Sequence, residues 1–533
     1  MTNIGENLRI WQNIASQRGF TGLDMSYIKK NKLLLKKILC RFKLLPLHWL
    51  DSLGSDNEYR FLLGDTGYHH LLTLINCADH QHQALLQAAN FLASVGLPDH
   101  AIKAFETALA IEPQDSSVHI YLQTLMYSSP EKFDHKSVYD SHIKWGKWLQ
   151  THPQYTHYSN SLTSDRKLKI GYTCHFITNS TSSTLLLPIL KAHNRNRVEI
   201  YMYSDQEASQ TNDDVRSLVE NWRDTKELND DAFCELIHKD QIDILFELNG
   251  HCIPNRYRAL TRKPAPVQAS YYNYSSTCGI PGIDYLLTGE EFDLAKLQPF
   301  YSEEIIQKKG CLMATPVSKH FPEMSSLPAL KNGFITFGSF GQAHKVSREQ
   351  IQLWCDILKQ VPGSKFYMKA GVLKYSAERR VFEHHFISNG IDKNRLILEG
   401  PSDYATLLNC YSNMDIALDT YPFGGGTTPI EAAIQGVPTI TLIGERYCSQ
   451  HGMCTMHNIG HDELLCRSKS EFIQKAVELA NDQKRLIRYR QSLREDLIQS
   501  PRGNMQKFIS EFEDTCKIMW DRYIEQTKNK QIK

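Results

Sequence analysis

The stretch Asp419–Pro438, DTYPFGGGTTPIEAAIQGVP, condenses one complete strand-to-helix connection. The apolar run MDIAL leads into Asp419, a turn carries Gly424, Gly425 and Gly426, and Thr427 and Thr428 open the helix TPIEAAI. Glycines without a Cβ allow a ligand to approach the backbone closely. The unpaired amides and dipole of a helix start attract phosphate oxygens. Glu431, one turn into the helix, has the chemistry to accept hydrogen bonds from ribose hydroxyls. The segment is neither a Walker loop nor a GxGxxG fingerprint, which argues against kinase and dehydrogenase readings. A glycine turn serving only as a tight connection is the alternative.

Working outward, short apolar runs alternate with helical stretches from about Lys167. The first series is KLKIGYTCH, VEIYMYSD, IDILFELNG, PVQASYY and IDYLLTG; after about Asn332 a second comprises FITFGSF, SKFYMKA, NRLILEG, MDIALDT and PTITLIG. Continuous apolar runs separated by helices are what parallel strands covered on both faces require. The predicted class is α/β, with two facing Rossmann-like lobes preceded by an all-α segment. The domains expected are a helical domain over 1–160, a first lobe over 161–328, a second lobe over 329–505 and a C-terminal helix over 506–533. Met313–Lys331, with Pro316, Pro322 and Pro328, reads as the hinge region. Ligands of open parallel sheets bind beyond the carboxyl ends of the strands, so a cleft between facing lobes is the expected seat of chemistry.

Upstream, the segment Ala84–Pro113 places Ala89, Leu92, Gly96, Ala101, Phe105, Ala108 and Pro113 at the positions of a tetratricopeptide helix-turn-helix. One copy cannot bury its face alone, so flanking helices must complete a short array, as a structural cap or as a peptide-binding surface. Bulk properties exclude other classes. The net charge of +1 gives no basic excess for a nucleic-acid partner, and the mixed Lys/Leu stretch Lys29–Lys43 reads as a solvated helix face. No run reaches the roughly 18 apolar residues of a membrane span and the N-terminus lacks a secretory core, so an integral membrane segment is not expected and a cytoplasmic location is. The 13 scattered cysteines suit reduced thiols. His451, Cys454, His457 and His461 have spacings a metal could use, but they lack the paired CxxC signal, and no metal site is assigned.

A second turn, FITFGSFGQAHKVSREQIQLW over Phe334–Trp354, leads from a strand to Gln342 and Lys345, with Ser347 and Gln350 at capping-box spacing. Lys345, at the strand end, has the reach and charge to neutralise a diphosphate leaving group without a metal. A surface lysine before a helix is the alternative.

Taken in order, these segments resemble the O-GlcNAc transferase and bacterial protein N-glycosyltransferase family, glycosyltransferase family forty-one, whose fold is the GT-B arrangement. YDSHIKWG near Trp145, KIGYTCHF, ELNGHC, RKPAPVQASYY, GQAHK, the Asp419–Pro438 segment and GERYCSQHG from Gly444 all contribute. The resemblance implies that Lys345 contacts the donor diphosphate. Gly426, Thr427 and Thr428 then hold phosphate oxygens, with Gly425 beside them in the donor-binding turn. Glu431 matches an acidic ribose-binding position, and Gln342 one that lines the sugar and acceptor cleft. Asn249 and His251, after a first-lobe strand, match residues facing the acceptor and are assigned with Lys345 to catalysis; a plain polar turn is their alternative.

Two departures stand out. Where the family often carries a histidine near the reacting sugar, TCHFITNSTSST offers Asn179 and Ser180, with His175 a few residues earlier, which leaves the general base unassigned. In the base-binding region EGPSDYATLLN offers Leu407 in place of a histidine, so base recognition is expected from backbone groups between Gly400 and Asp403, Ser402 among them, and from Tyr404. The function implied is metal-independent, inverting transfer of N-acetylglucosamine or glucose from a UDP-sugar to a protein side chain, with Ser/Thr hydroxyl preferred to Asn amide. No cofactor is expected beyond the donor substrate, and the partners expected are a protein acceptor and a nucleotide sugar. The rivals are transfer to a glycan or lipid carrier and a non-catalytic repeat scaffold.

Overall fold

The structure, a computed structural model, describes residues 81–94, 97–112, 118–175, 177, 180–206, 213–251, 255–272, 274–315 and 321–532. The Lys29–Lys43 stretch, Gly96, Pro113, Asn179 and Pro316 lie outside the described residues. The strands are β1 Leu168–Cys174, β2 Val198–Ser204, β3 Asn221–Asp224, β4 Ile244–Glu247, β5 Val267–Tyr271, β6 Tyr285–Thr288, β7 Glu304–Gln307, β8 Thr336–Ser339, β9 Lys365–Lys369, β10 Leu396–Glu399, β11 Ile416–Leu418, β12 Thr439–Leu442 and β13 Leu465–Cys466. The helices used below are α1 Gln81–Ser94, α2 Pro98–Ile111, α3 Val118–Tyr127, α4 His135–Leu149, α5 Arg348–Gln360, α6 Ser376–Ser388, α7 Thr428–Ile434, α8 His451–Asn458 and α9 Met505–Ile532. Strands β1–β7 make one parallel sheet, and β8–β10 and β11–β13 form parallel ladders. Chain contacts define two compact units, one taking in Ser129–Ile335 and Asp403–Lys533, the other Thr336–Ser402 with the described residues up to Ser128.

In the larger unit the first sheet runs β3-β2-β1-β4-β5-β6-β7. Its central strands are apolar on both faces: β1 pairs Leu168 to Cys174 with Val198 to Ser204 of β2, and Ile170 to Thr173 with Ile244 to Glu247 of β4. The strand order reverses direction between β1 and β4, the topological switch at which doubly wound sheets bind ligands. Helix α9 covers this sheet with Phe508, Phe512, Met519 and Trp520, which join Tyr172, Phe246 and Tyr271 in one core. A buried polar chain fastens it there: the Tyr172 hydroxyl meets His193 Nε2 at 2.8 Å, and His193 Nδ1 meets Glu513 Oε1 at 3.0 Å. Strands β11, β12 and β13 are also parallel and belong to the same unit.

In the smaller unit β8, β9 and β10 form a parallel ladder. Helices α1 and α2 pack as an antiparallel pair through Ala89, Leu92, Ala101, Ala104 and Phe105. Ala108 is buried as well. Small residues allow the close approach, and Phe105 is fully buried in the contact. The hairpin core also takes in Val381 of α6, so the pair is packed against a helix of its own unit.

All ten strands expected from apolar runs are present. The three strands not anticipated are β3, whose sequence NWRD is half-exposed, β7 with an exposed first residue, and the two-residue β13. Strands at a sheet edge need only one covered face, so they lack a continuous apolar run.

Candidate active site

The turn after β11 is organised from beneath by Asp419, which is 6% exposed. Its Oδ1 accepts the backbone N–H of Thr420 at 2.9 Å and of Gly425 at 2.7 Å, and its Oδ2 accepts Thr441 Oγ1–H from β12 at 3.3 Å. The start of α8 closes on the same carboxylate: a Cβ on Gly452 would lie 2.0 Å from Asp419 Oδ2. Helix N-termini favour a negative charge there, which offsets part of the cost of burying it.

The three glycines of the turn are not equivalent. The Gly424 N–H donates to Cys448 O at 2.9 Å. A Cβ on Gly425 would fall 2.3 Å from Thr428 Oγ1, and its N–H is engaged by Asp419, so within the chain Gly425 has a steric and structural reason. Gly426 is exposed and a Cβ there would meet nothing within 4 Å. No described hydrogen bond uses the amides of Gly426 or Thr427. The fold therefore gives no internal reason for glycine at 426, whereas close approach of a ligand supplies one.

Thr427 and Thr428 are half-buried at the start of α7, and Thr427 makes no side-chain cap bond. Glu431 is buried in the first turn of that helix, where burial pushes its carboxyl up to about 7. The Tyr411 hydroxyl donates to Glu431 Oε2 at 3.3 Å, and hydrogen bonding from Tyr411 and Tyr404 opposes part of the upward shift. Tyr404 opens a short helix capped by Asp403, whose carboxylate accepts the Thr406 N–H at 2.9 Å. The structure thus gathers Tyr404, Tyr411 and Glu431 at one place. Leu407 is half-buried on the same short helix.

In the smaller unit the strand-end turn after β8 forms a single 3-10 turn over Ala343–Lys345. Ala343 and Val346 are buried, Lys345 is half-buried, and Gln342 is exposed, as is Ser402. Ser347 caps α5 by accepting the Gln350 N–H at 3.1 Å. The capping box is only half formed, because the Gln350 carboxamide is turned into the protein with neither of its polar atoms hydrogen-bonded.

At the topological switch of the first sheet, Glu247 ends β4 and accepts the N–H groups of Asn249 at 2.7 Å and Gly250 at 3.0 Å. Its carboxyl is pushed up to about 7 by burial, with those backbone bonds pulling the other way. Gly250 has φ +62, and a Cβ there would strike the Tyr274 side chain at 2.4 Å, so this turn requires glycine. Asn249 Oδ1 accepts the His175 N–H at 2.7 Å and so ties the ends of β4 and β1 together. Asn249 is 2% exposed and His251 0%. The His251 ring is enclosed by His142, Tyr257 and Tyr274, with Nε2 2.8 Å from Cys278 O. His142, from α4, meets the Tyr274 hydroxyl through Nε2 at 2.6 Å, and burial brings it down to about 4, so it is neutral. His175, unlike Asn249 and His251, is only half-buried.

The sequence matches the family described as Glycosyl transferase family 41 over residues 147–326 and 323–512. A probable UDP-N-acetylglucosamine--peptide N-acetylglucosaminyltransferase SPINDLY of Oryza sativa subsp. japonica is 30% identical over 433 residues, 79% of this chain and 46% of that protein. The SPINDLY protein of Eustoma exaltatum subsp. russellianum is 32% identical over 399 residues, 72% of this chain and 42% of that one. Among solved structures, a mutant of the Thermobaculum terrenum O-GlcNAc transferase superposes with a TM-score of 0.80 at 26% identity, covering 86% of this chain and 87% of the other. This chain belongs to glycosyl transferase family 41. It spans less than half the length of these plant relatives.

In this family 41 chain His451, Cys454, His457 and His461 do not converge on one point. His451 Nε2 meets Ser275 Oγ at 2.6 Å, Cys454 is buried, His457 pairs with Asp462, and His461 pairs with Glu463 and Asp496. Among the described residues no cluster of three His, Cys, Asp or Glu side chains has metal-binding geometry. No helix among them is long and apolar enough to cross a membrane. Asp419, Tyr411, Glu247 and His142 were not assigned from sequence. Asp419 had a visible signal, a carboxylate where an apolar strand meets three glycines, and Glu247 a similar one, a carboxylate at the end of an apolar strand two residues before Asn249; Tyr411 and His142 act through contacts distant in sequence.

Proposed function

We propose that this family 41 chain transfers N-acetylglucosamine from UDP-N-acetylglucosamine to a peptide side chain, with Ser/Thr hydroxyl preferred to Asn amide. The observation that carries this reading is the Asp419-organised turn, which leaves Gly426 unhindered and the Gly426 and Thr427 amides unused at the start of a helix. In this reading those amides and the hydroxyls of Thr427 and Thr428 take phosphate oxygens, and Glu431 takes the ribose hydroxyls. Tyr404 and the backbone near Ser402 meet the base.

The reaction is a direct displacement with inversion: the acceptor hydroxyl oxygen forms a bond to the anomeric carbon as the bond to the diphosphate oxygen breaks, UDP leaves with that electron pair, and the hydroxyl proton is released to solvent. Lys345 neutralises the charge that grows on the diphosphate, so that no divalent cation is needed. Gln342 lines the sugar side. Asn249 and His251 act by fixing the strand-end turn on the acceptor side, where His175 is accessible. The names of the plant relatives and the Thermobaculum enzyme support the donor and the peptide acceptor. The test is intact-mass analysis of candidate peptides after incubation with a panel of nucleotide sugars. A single N-acetylhexosamine increment from the UDP donor supports the reading, and labelling confined to lipid or polysaccharide refutes the acceptor class.

A further inference from the structure

The smaller unit joins the helical repeat to the turn that carries Lys345. The α1–α2 hairpin shares its core with Val381 of α6, which holds it against the part of the unit that contains β8. Helix α1 packs along the Ala343–Lys345 turn itself. Helix α3 ends at Tyr127, whose ring lies 4.5 Å from that of His344, tilted by 48°. Within the turn, the Lys345 N–H donates to Gln342 O at 3.0 Å and the Val346 N–H to Ala343 O at 2.9 Å.

Two buried residues, Ala343 and Val346, flank the half-buried pair His344 and Lys345. Ala343 and Val346 are 4% and 1% exposed, and the His344 ring is packed under Tyr127, while Gln342 stays exposed and Lys345 half-buried. A 3-10 turn has three residues per turn, so anchoring 343, 344 and 346 leaves the direction of residue 345 little freedom. Burial and, secondarily, the Lys345 cation bring the His344 imidazole down to about 3. The ring is therefore neutral at physiological pH and packs as an aromatic surface rather than as a second cation.

We propose that Tyr127 and His344 are positioning residues for Lys345, so that the N-terminal helices contribute to donor-phosphate binding. This rests on the reading of Lys345 as a diphosphate contact. A side chain with many rotamers delivers charge to a phosphate only when its backbone is fixed, and here the fixing surface comes from the N-terminal helices and not from the β8–β10 ladder alone.

The test is a double-mutant cycle in the full chain, with melting temperature and affinities for UDP and uridine measured on every variant. Tyr127→Ala is expected to weaken UDP binding about tenfold while leaving uridine binding within about twofold, because the loss acts on the phosphate contact. Tyr127→Phe, which keeps the ring, should bind like the parent. Tyr127→Leu, which keeps apolar volume and removes the ring, should reproduce the selective loss if Tyr127→Ala fails to fold. In a Lys345→Ala background the Tyr127 substitutions should add less than about twofold. Equal weakening of UDP and uridine, or an undiminished Tyr127 effect without Lys345, would overturn the proposal while leaving the Lys345 reading in place. A parent chain that does not bind UDP, or a Lys345→Ala chain that binds it normally, would overturn the underlying reading and the proposal with it.

Discussion

Two strand-end turns in this chain look alike in sequence and are held by different physics. The turn after β11 is built on a buried carboxylate: Asp419 takes two backbone N–H groups and a threonine hydroxyl. The turn after β8 is built on packing, with Ala343 and Val346 buried and His344 under Tyr127. A hydrogen-bonded support fixes where individual amides point, which suits a turn whose own backbone meets the ligand. A packed support fixes the direction in which a side chain leaves, which suits a turn that delivers one charge. The two turns should therefore fail differently when their supports are removed.

The largest effect is expected at Asp419. Asp419→Ala leaves the Thr420 and Gly425 amides without their acceptor, at about 1–3 kcal/mol for each unsatisfied buried donor. Both the melting temperature and nucleotide binding should drop, as thermal melts and calorimetry would record. Asp419→Asn, which keeps an acceptor oxygen, should recover much of the stability. A stable Asp419→Ala chain with normal nucleotide affinity would show that the carboxylate does not support the turn.

Lys345→Ala comes next and should separate chemistry from stability. Removing the charge contact should cost about 3 kcal/mol of transition-state stabilisation, on the order of a hundredfold in turnover. The melting temperature should stay near that of the parent, because substitutions of this kind usually change stability by less than about 0.5 kcal/mol. Turnover within a few-fold of the parent with unchanged donor affinity would return Lys345 to the solvated surface.

Adjacent glycines provide a finer comparison. Gly425→Ala forces a Cβ against Thr428 Oγ1 and Pro429 Cδ and should destabilise the chain by about 1–3 kcal/mol, as overpacking does. Gly426→Ala meets nothing within 4 Å, so its melting temperature should be unchanged while UDP affinity falls. The reverse pattern would mean that Gly426 has a structural reason and no ligand.

The smallest effect is a pH dependence. Burial raises the Glu431 carboxyl from its ordinary 4.5 to about 7. A carboxyl raised in the folded state contributes stability that is fully present below about 4.5 and lost as pH rises through about 7. Glu247, also pushed up to about 7, acts in the same direction, so the unliganded chain should melt higher at pH 5 than at pH 8 through these two groups. Ribose hydroxyls that donate to Glu431 favour its ionised form. UDP affinity should therefore fall about fivefold between pH 7 and pH 6, with proton release on binding, and Glu431→Gln should flatten that profile. A pH-independent affinity in the parent would remove Glu431 from the nucleotide site.

Much of the architecture was legible because strands buried on both faces, such as KLKIGYTC and IDILFEL, leave uninterrupted apolar runs. Strand β3 was not, since NWRD lies half-exposed in its sheet. The α1–α2 hairpin was readable from Ala89, Leu92, Ala101 and Phe105, but nothing in their spacing indicates that Val381 completes their core. At the site, glycines and the lysine were visible as local motifs. The supports were not: Tyr127 reaches His344, and His142 reaches Tyr274, across separations that only the folded chain closes. Asn249 and His251 show the same limit from the other side, since sequence marks them as polar and only the fold shows them buried.

The central question is whether the chain moves a sugar from a nucleotide diphosphate without a cation. The measurement is intact-mass detection of transfer from UDP-N-acetylglucosamine to an acceptor peptide in excess chelator, with Lys345→Ala alongside. The expected result is one N-acetylhexosamine increment on the peptide at an undiminished rate in chelator and its near disappearance in the variant. Transfer that stops with chelator and returns with manganese or magnesium would contradict the assignment of the leaving-group charge to Lys345 and the Asp419-organised turn.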